Sequence, residues 1–133
     1  MCCRRENGML KFYLCETCKN IITKIVDSKV PVVCCGKPMK ELIPGAVDGA
    51  LEKHVPAVTI EGNIVKVQIG EVIHPMMDEH CIQFIALETK KGCQITNLKP
   101  GDEPKAVFML ADGDEAVAVY EYCNLHGLWV KEV

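Results

Sequence analysis

The chain has 133 residues, of which 49% are apolar and 25% are charged, an ordinary balance for a globular protein. Its net charge of -3 gives no general basic surface for nucleic acid, and no apolar run approaches the roughly 20 residues that cross a bilayer. Nine cysteines without a recognisable secretory signal predict metal ligands or redox groups rather than disulfides, and a cytoplasmic protein.

The first third of the chain is rich in cysteine and poor in core-forming sequence. Residues 1–8 carry charge together with Cys2 and Cys3, and we interpret them as an N-terminal extension. Residues 9–45 contain the short β-like runs "KFYLC", "IITKIV" and "VPVVC" around four further cysteines. Because a segment of this length cannot bury a self-sufficient core, we expect a metal to hold this domain together.

Those four cysteines form two pairs, Cys15 with Cys18 and Cys34 with Cys35. Two pairs of thiolates from two turns predict a tetrahedral sulfur site for zinc or a single iron. Adjacent cysteines reach one ion only if the backbone bends sharply, and Gly36 supplies the conformational freedom. The alternative is a redox dithiol at Cys15 and Cys18, but that motif is typical of a βαβ context that is not evident here.

Residues 46–133 have a different pattern and predict a second, larger domain. Six runs rich in Val, Ile and Thr follow one another: "VPAVTI", "NIVKVQIG", "CIQFIAL", "CQITNL", "KAVFML" and "EAVAVYEYC". Turn signals separate the runs, among them Glu61-Gly62-Asn63 and Asp112-Gly113-Asp114. No long helical period is present, so we expect an antiparallel β-sandwich.

All four histidines lie in this second domain, at the boundaries of the β-like runs. They are His54, His74, His80 and His126, and Cys123 precedes the last of them by three residues. A single histidine in such a place is usually a surface or capping residue. Four together with a thiol suit iron or zinc, and five ligands on an iron-type ion leave one position open for chemistry.

These motifs as a set resemble the desulfoferrodoxin family, the two-iron form of superoxide reductase. The resemblance rests on "KFYLCETCKNI", "VCCGKPMKEL", "LEKHVP", "IHPMMDEH", "LKPGDEPKAVF" and "EYCNLHGLW", and it covers Met9 to the end of the chain. It implies a mainly β protein with a small desulforedoxin-like N-terminal metal domain and an immunoglobulin-like antiparallel β-sandwich.

The resemblance also implies the ligands of two iron ions. Cys15, Cys18, Cys34 and Cys35 match an Fe(Cys)4 centre that relays electrons. His54, His74, His80 and His126 match the equatorial ligands of a second iron, and Cys123 matches its axial thiolate.

The activity implied is one-electron reduction of superoxide to hydrogen peroxide. Glu52 and Lys53 match a loop pair beside the open position, where Lys53 steers superoxide and helps deliver a proton, and Glu52 helps the product leave. The family is usually dimeric, and rubredoxin is a usual electron donor.

Two other functions stay open on the sequence. The protein could be a non-catalytic, rubredoxin-like electron carrier that uses only the four-cysteine site, or a zinc-stapled binding module. Cys81 and Cys93 have no place in the family pattern, and we expect them to be buried apolar residues.

Overall fold

A computed structural model describes residues 10–45, 54–70 and 75–133, and these divide into two compact units, Met1–Ile43 and Pro44–Val133. Twelve β-strands lie in the described residues, which confirms the mainly β class. No helix among them has the length and apolar character needed to cross a membrane.

The first unit is built from very short strands. A three-stranded antiparallel sheet has the order β2-β1-β5, and β3 and β4 form a separate hairpin. The strand bounds are β1 Phe12–Leu14, β2 Ile21–Thr23, β3 Val33–Cys34, β4 Lys37–Pro38 and β5 Lys40–Glu41. Its buried apolar side chains, within the described residues, are those of Leu10, Phe12 and Cys15. Such a set is far too small to be a core, as the sequence predicts.

The second unit is a sandwich of two antiparallel sheets, a three-stranded sheet of order β10-β7-β6 and a four-stranded sheet of order β12-β11-β8-β9. The strand bounds are β6 Pro56–Glu61, β7 Ile64–Ile69, β8 Ile82–Thr89, β9 Cys93–Asn97, β10 Lys105–Met109, β11 Ala116–Cys123 and β12 Gly127–Glu132. The predicted immunoglobulin-like β-sandwich is therefore confirmed.

Both sheets contribute one face to the core between them. In β7 the side chains of Val65, Val67 and Ile69 are buried while Lys66 is exposed, which is the alternation expected of a half-buried strand. These pack with apolar residues from or next to the other strands: Ile82, Ile85, Leu87, Ala106, Phe108, Leu110, Val119 and Cys123. Cys123 thus lies at the C-terminal end of β11 and in the core.

The seventh strand of the sandwich, β12, is absent from the six runs identified in the sequence. It pairs antiparallel with β11 from Cys123↔Gly127 to Ala118↔Glu132. A three-residue loop, Asn124 to His126, joins the two strands, and Gly127 opens β12 with a φ of +81°. The segment "EYCNLHGLW" is therefore a hairpin, with Cys123 and His126 at opposite ends of its loop.

Candidate metal centres

Four cysteines of the first unit, Cys15, Cys18, Cys34 and Cys35, lie together, with their sulfur atoms all within 4.8 Å of one another. Cys15 and Cys18 come from one turn, which closes through a 2.8 Å hydrogen bond from the Lys19 N–H to the Cys15 carbonyl. The Cys18 N–H donates to the Cys15 Sγ at 3.5 Å, and the Asn20 side-chain amide donates to the Cys34 Sγ at 3.8 Å.

Cys34 and Cys35 come from the β3–β4 hairpin, where the predicted bend is present. Cys34 pairs with Lys37, so the loop has only two residues, Cys35 and Gly36. Both have positive φ, +52° at Cys35 and +76° at Gly36, as a type I′ turn requires. The bend therefore lies at the cysteine itself as well as at the glycine.

The donor set of this cluster fits one tetrahedrally bound cation. Sulfur atoms about 2.3 Å from a common ion are about 3.8 Å apart in a tetrahedron, and Cys18 Sγ and Cys34 Sγ lie 3.6 Å apart. The Cys18 backbone N–H lowers the pKa of Cys15 to about 6, whereas the Cys15 and Cys18 thiols raise the pKa of Cys35 to about 12. Four thiolates at this distance therefore need a positive charge among them.

A second cluster lies in the sandwich unit and joins His54, His80, Cys123 and His126, whose ligand atoms are also within 4.8 Å of one another. His54 precedes β6, His80 precedes β8, and the other two lie in the β11–β12 hairpin. His54 is 1% exposed and Cys123 is fully buried, so these ligand atoms are withdrawn from bulk water.

The spacing of these donors also fits one ion. His126 Nδ1 lies 3.1 Å from His54 Nε2 and 3.8 Å from Cys123 Sγ. Two nitrogens bound at right angles about 2.1 Å from a single metal are about 3.0 Å apart. The His80 and His126 rings have centroids 5.0 Å apart and are inclined by 72°, so the imidazoles approach from different directions.

Asn124 joins the two segments that carry three of these four residues. Its side-chain oxygen accepts the Cys81 N–H at 3.0 Å, and its side-chain nitrogen donates to the Glu79 carbonyl at 3.1 Å. Its backbone N–H also donates to the Cys81 carbonyl at 3.2 Å. Three hydrogen bonds therefore hold the chain around His80 against the hairpin, at the point where pairing between β8 and β11 becomes irregular.

A buried acid lies beside the second cluster. Glu121 is two residues before Cys123 on β11, so both side chains point to the same face of the strand. It is fully buried, neither carboxyl oxygen has a hydrogen-bond partner among the described residues, and burial raises its pKa to about 9. Burial also raises the pKa of Cys123, although hydrogen bonds from the Leu125 and His126 N–H groups act to lower that pKa.

The structure thus brings together eight of the predicted ligands. His74, Glu52 and Lys53 lie outside the described residues, as do Cys2 and Cys3. Cys81 is buried as expected, but the same expectation is wrong for Cys93, which is only half-buried because it opens the edge strand β9. Analysis of the sequence missed Asn124 and Glu121, although strand alternation places Glu121 on the same face as Cys123.

Comparisons with known proteins agree with this architecture. The sequence model of the Desulfoferrodoxin family matches residues 46–132. A desulfoferrodoxin of Syntrophotalea carbinolica is 44% identical over 123 residues, which cover 92% of this chain and 96% of the relative.

Two solved structures are also similar. The superoxide reductase of Treponema pallidum has a TM-score of 0.79 and 34% identity, over 93% of this chain and 98% of the other. A superoxide reductase of Giardia intestinalis, described as 1Fe-SOR, has a TM-score of 0.52 and 37% identity, over 62% of this chain and 97% of its own. On the family match and the similarity across both units, this chain belongs to the desulfoferrodoxin family.

Proposed function

We propose that this chain is a superoxide reductase, which combines superoxide with one electron and two protons to give hydrogen peroxide without releasing dioxygen. The observation that carries the proposal is the second cluster, where three imidazoles and one thiolate meet at one end of the sandwich. The two solved structures described above are superoxide reductases, which supports the same conclusion. An electron carrier would need only the four-cysteine site, so the second cluster favours the enzyme.

Iron is the metal that we propose for both clusters. Thiolate and imidazole donors suit iron as well as zinc, and the family match supports iron. We further propose that His74 completes a set of four imidazoles with His54, His80 and His126. The corresponding domains are a desulforedoxin-like domain at 9–45, after an extension at 1–8, and a superoxide reductase domain at 46–133.

Iron, when bound, would supply one-electron redox chemistry at the second cluster and electron relay at the first. Cys123 would hold the metal through a buried thiolate and donate electron density to it. Imidazoles that bind a metal do so in the neutral form, so with one thiolate a bound ferrous ion would leave a net positive charge of about one, which would attract a small anion. The first cluster has four thiolate donors and thus no open position for substrate.

Glu52 and Lys53 are the residues that we propose at the open side of the site. Lys53 would attract superoxide and supply a proton through water, and Glu52 would help peroxide leave. The substrate is superoxide, and the electron donor that we propose is rubredoxin. We also propose that the protein is a cytoplasmic homodimer, on the basis of the family.

Metal analysis combined with a visible spectrum tests the proposal. We expect two iron ions per chain and two ferric absorption systems, one rubredoxin-like and one from the histidine and cysteine site. Pulse radiolysis of the reduced protein should then show second-order loss of superoxide with appearance of the second system's ferric absorption, and no dioxygen. A single sulfur-rich system would support the electron carrier instead, and a colourless zinc protein would support the binding module.

A further inference from the structure

Trp129 makes two separate contacts with the second cluster. Its indole ring stacks on the imidazole of His54, with centroids 5.1 Å apart and planes inclined by 25°. Its Nε1–H donates a hydrogen bond to the backbone carbonyl of His126 at 3.0 Å. The side chain is only 6% exposed, so solvent does not compete freely for either contact.

Strand pairing does not fix the mutual orientation of these two histidines. His54 lies before β6 in the three-stranded sheet, whereas His126 lies in the hairpin of the four-stranded sheet, 72 residues later. Their ring nitrogens nevertheless approach to 3.1 Å, with the ring planes inclined by 79°. Neither residue lies in a strand, and the strands that follow them, β6 and β12, are in different sheets, so no strand pairing sets this geometry.

Tryptophan is suited to holding such a pair because it combines a flat aromatic face with a single N–H donor. The face restrains the plane of the His54 ring, and the N–H restrains the loop that carries His126. We propose that Trp129 is a positioning residue, which orients His54 and His126 for metal binding without touching the metal itself. This inference rests on the metal site of the proposed function.

Two substitutions separate the two contacts. Trp129→Phe keeps an aromatic face for His54 and removes the hydrogen bond to the His126 carbonyl, whereas Trp129→Leu removes both. Phe108→Leu is the matched control, because it removes a ring that is 3% exposed from the same sandwich. Phe108 lies away from the cluster along β7. It pairs with Val65 near one end of that strand, whereas Pro56, two residues after His54, pairs with Ile69 at the other end.

The probe is Co(II), loaded into the purified full-length protein. Apparent affinity is measured by competition with a chelator, and the imidazole N–H resonances shifted by the metal are recorded by NMR. We expect Trp129→Leu to weaken Co(II) binding at the histidine site about tenfold and to move the resonances of both His54 and His126. Trp129→Phe should move chiefly those of His126, and Phe108→Leu should leave affinity within about twofold of the parent.

Parent affinity and parent resonances in Trp129→Leu would overturn the inference, as would equal losses in Phe108→Leu and Trp129→Leu. If Trp129→Leu does not fold, Trp129→Phe decides alone: a moved His126 resonance beside an unmoved His54 resonance supports the inference, and any other pattern overturns it. Because Trp129 is the only tryptophan, quenching of its fluorescence on loading gives a second readout in the parent. A parent protein without histidine resonances on Co(II) loading would instead refute the metal site itself.

Discussion

The two clusters are held in place by opposite means. In the first unit the strands have two or three residues, and the apolar side chains of Ile25 and Val26 are 84% and 83% exposed. Two of the four clustered cysteines, Cys18 and Cys35, are themselves exposed. In the second unit strands of five to eight residues enclose a continuous core, and Cys123 is part of that core. We therefore expect the first unit to depend on its metal for folding, whereas the core of the second unit holds the metal ligands in place.

Removal of the metal is the strongest test of this difference. A structural thiolate site contributes about 10 kcal/mol or more to the folding of a small domain, and the described residues of the first unit form no core that could replace that contribution. We expect chelation to abolish amide-exchange protection in β1 and β2 while β7, β8 and β11 stay protected. Persistent protection of Phe12–Leu14 in the metal-free protein would show that the first unit folds without its metal.

Single serine substitutions separate the two sites chemically. Cys123→Ser should keep metal on the imidazoles but lose the sulfur charge-transfer band and slow superoxide reduction about a thousandfold, or about 4 kcal/mol. Cys18→Ser is the matched change in the first unit, and it should lose the rubredoxin-like spectrum while the pre-reduced protein still reduces superoxide at the parent rate. Pulse radiolysis of both variants measures whether superoxide reacts only at the second site. Loss of the single-turnover reaction in Cys18→Ser would contradict this assignment.

Core truncation should affect only the second unit. Ile85 is fully buried in the sandwich core, so Ile85→Ala should lower its unfolding free energy by about 3 kcal/mol. Ile25→Ala is the control in the first unit, and because Ile25 is exposed the change there should stay within about 0.5 kcal/mol. Denaturant unfolding followed by near-UV dichroism measures both. A large effect of Ile25→Ala would mean that the first unit has an apolar core after all.

The sequence predicts these two units unequally well, for physical reasons. Cys15 and Cys18 lie in one turn and Cys34 and Cys35 in another, so each pair is close in sequence and local chemistry is sufficient to identify the first cluster. The second cluster needs residues from His54, two residues before β6, to the hairpin at His126, and only the sandwich brings them together. The resemblance to a known family identified those ligands, whereas the histidine pattern by itself only raised the possibility.

Supporting residues were harder to predict than ligands. Asn124 is one of many polar residues in turns, and nothing in "CNLHG" indicates that its side chain bonds to the segment before β8. β12 was missed because "GLWVKE" follows a hairpin loop at once, without the separate turn signal that marks the other strands. Such features depend on which strands become neighbours, and a single strand's pattern does not contain that information.

Substitution of Lys53 tests whether the second site is open to an anion, in contrast to the first site, which has no open position for substrate. The net charge of -3 repels superoxide, so local positive charge must attract it. Lys53→Ala should slow the second-order reaction about tenfold, or about 1.4 kcal/mol, and weaken its salt dependence. Glu52→Ala is the control: its encounter rate should change little while its ferric spectrum shifts. Pulse radiolysis across ionic strength measures both, and an unchanged rate in Lys53→Ala would make it an ordinary surface lysine.

The smallest expected effects come from one aspartate in each unit. The Lys29 N–H, at 2.8 Å, and the Lys24 ammonium, at 3.2 Å, hold the pKa of Asp27 below its usual value of 3.8. The Thr89 hydroxyl and the N–H groups of Glu115 and Lys91 do the same for Asp114. Because metal holds the first unit, Asp27→Asn should appear as faster metal loss to a chelator at pH 7, with the unfolding midpoint of the second unit unchanged.

Asp114→Asn should instead lower the unfolding midpoint of the second unit, with a definite pH dependence. A carboxyl whose pKa is lower in the folded state stabilises the fold at pH values above its unfolded pKa, and this contribution is lost as the pH falls through the folded pKa. The parent should therefore exceed Asp114→Asn in stability at pH 7, and the difference should shrink once the pH drops below 3.8. Thermal unfolding of the metal-free protein from pH 7 downwards measures this. A difference that stays constant across that range would mean that the charge of Asp114 contributes nothing and that only its turn geometry matters.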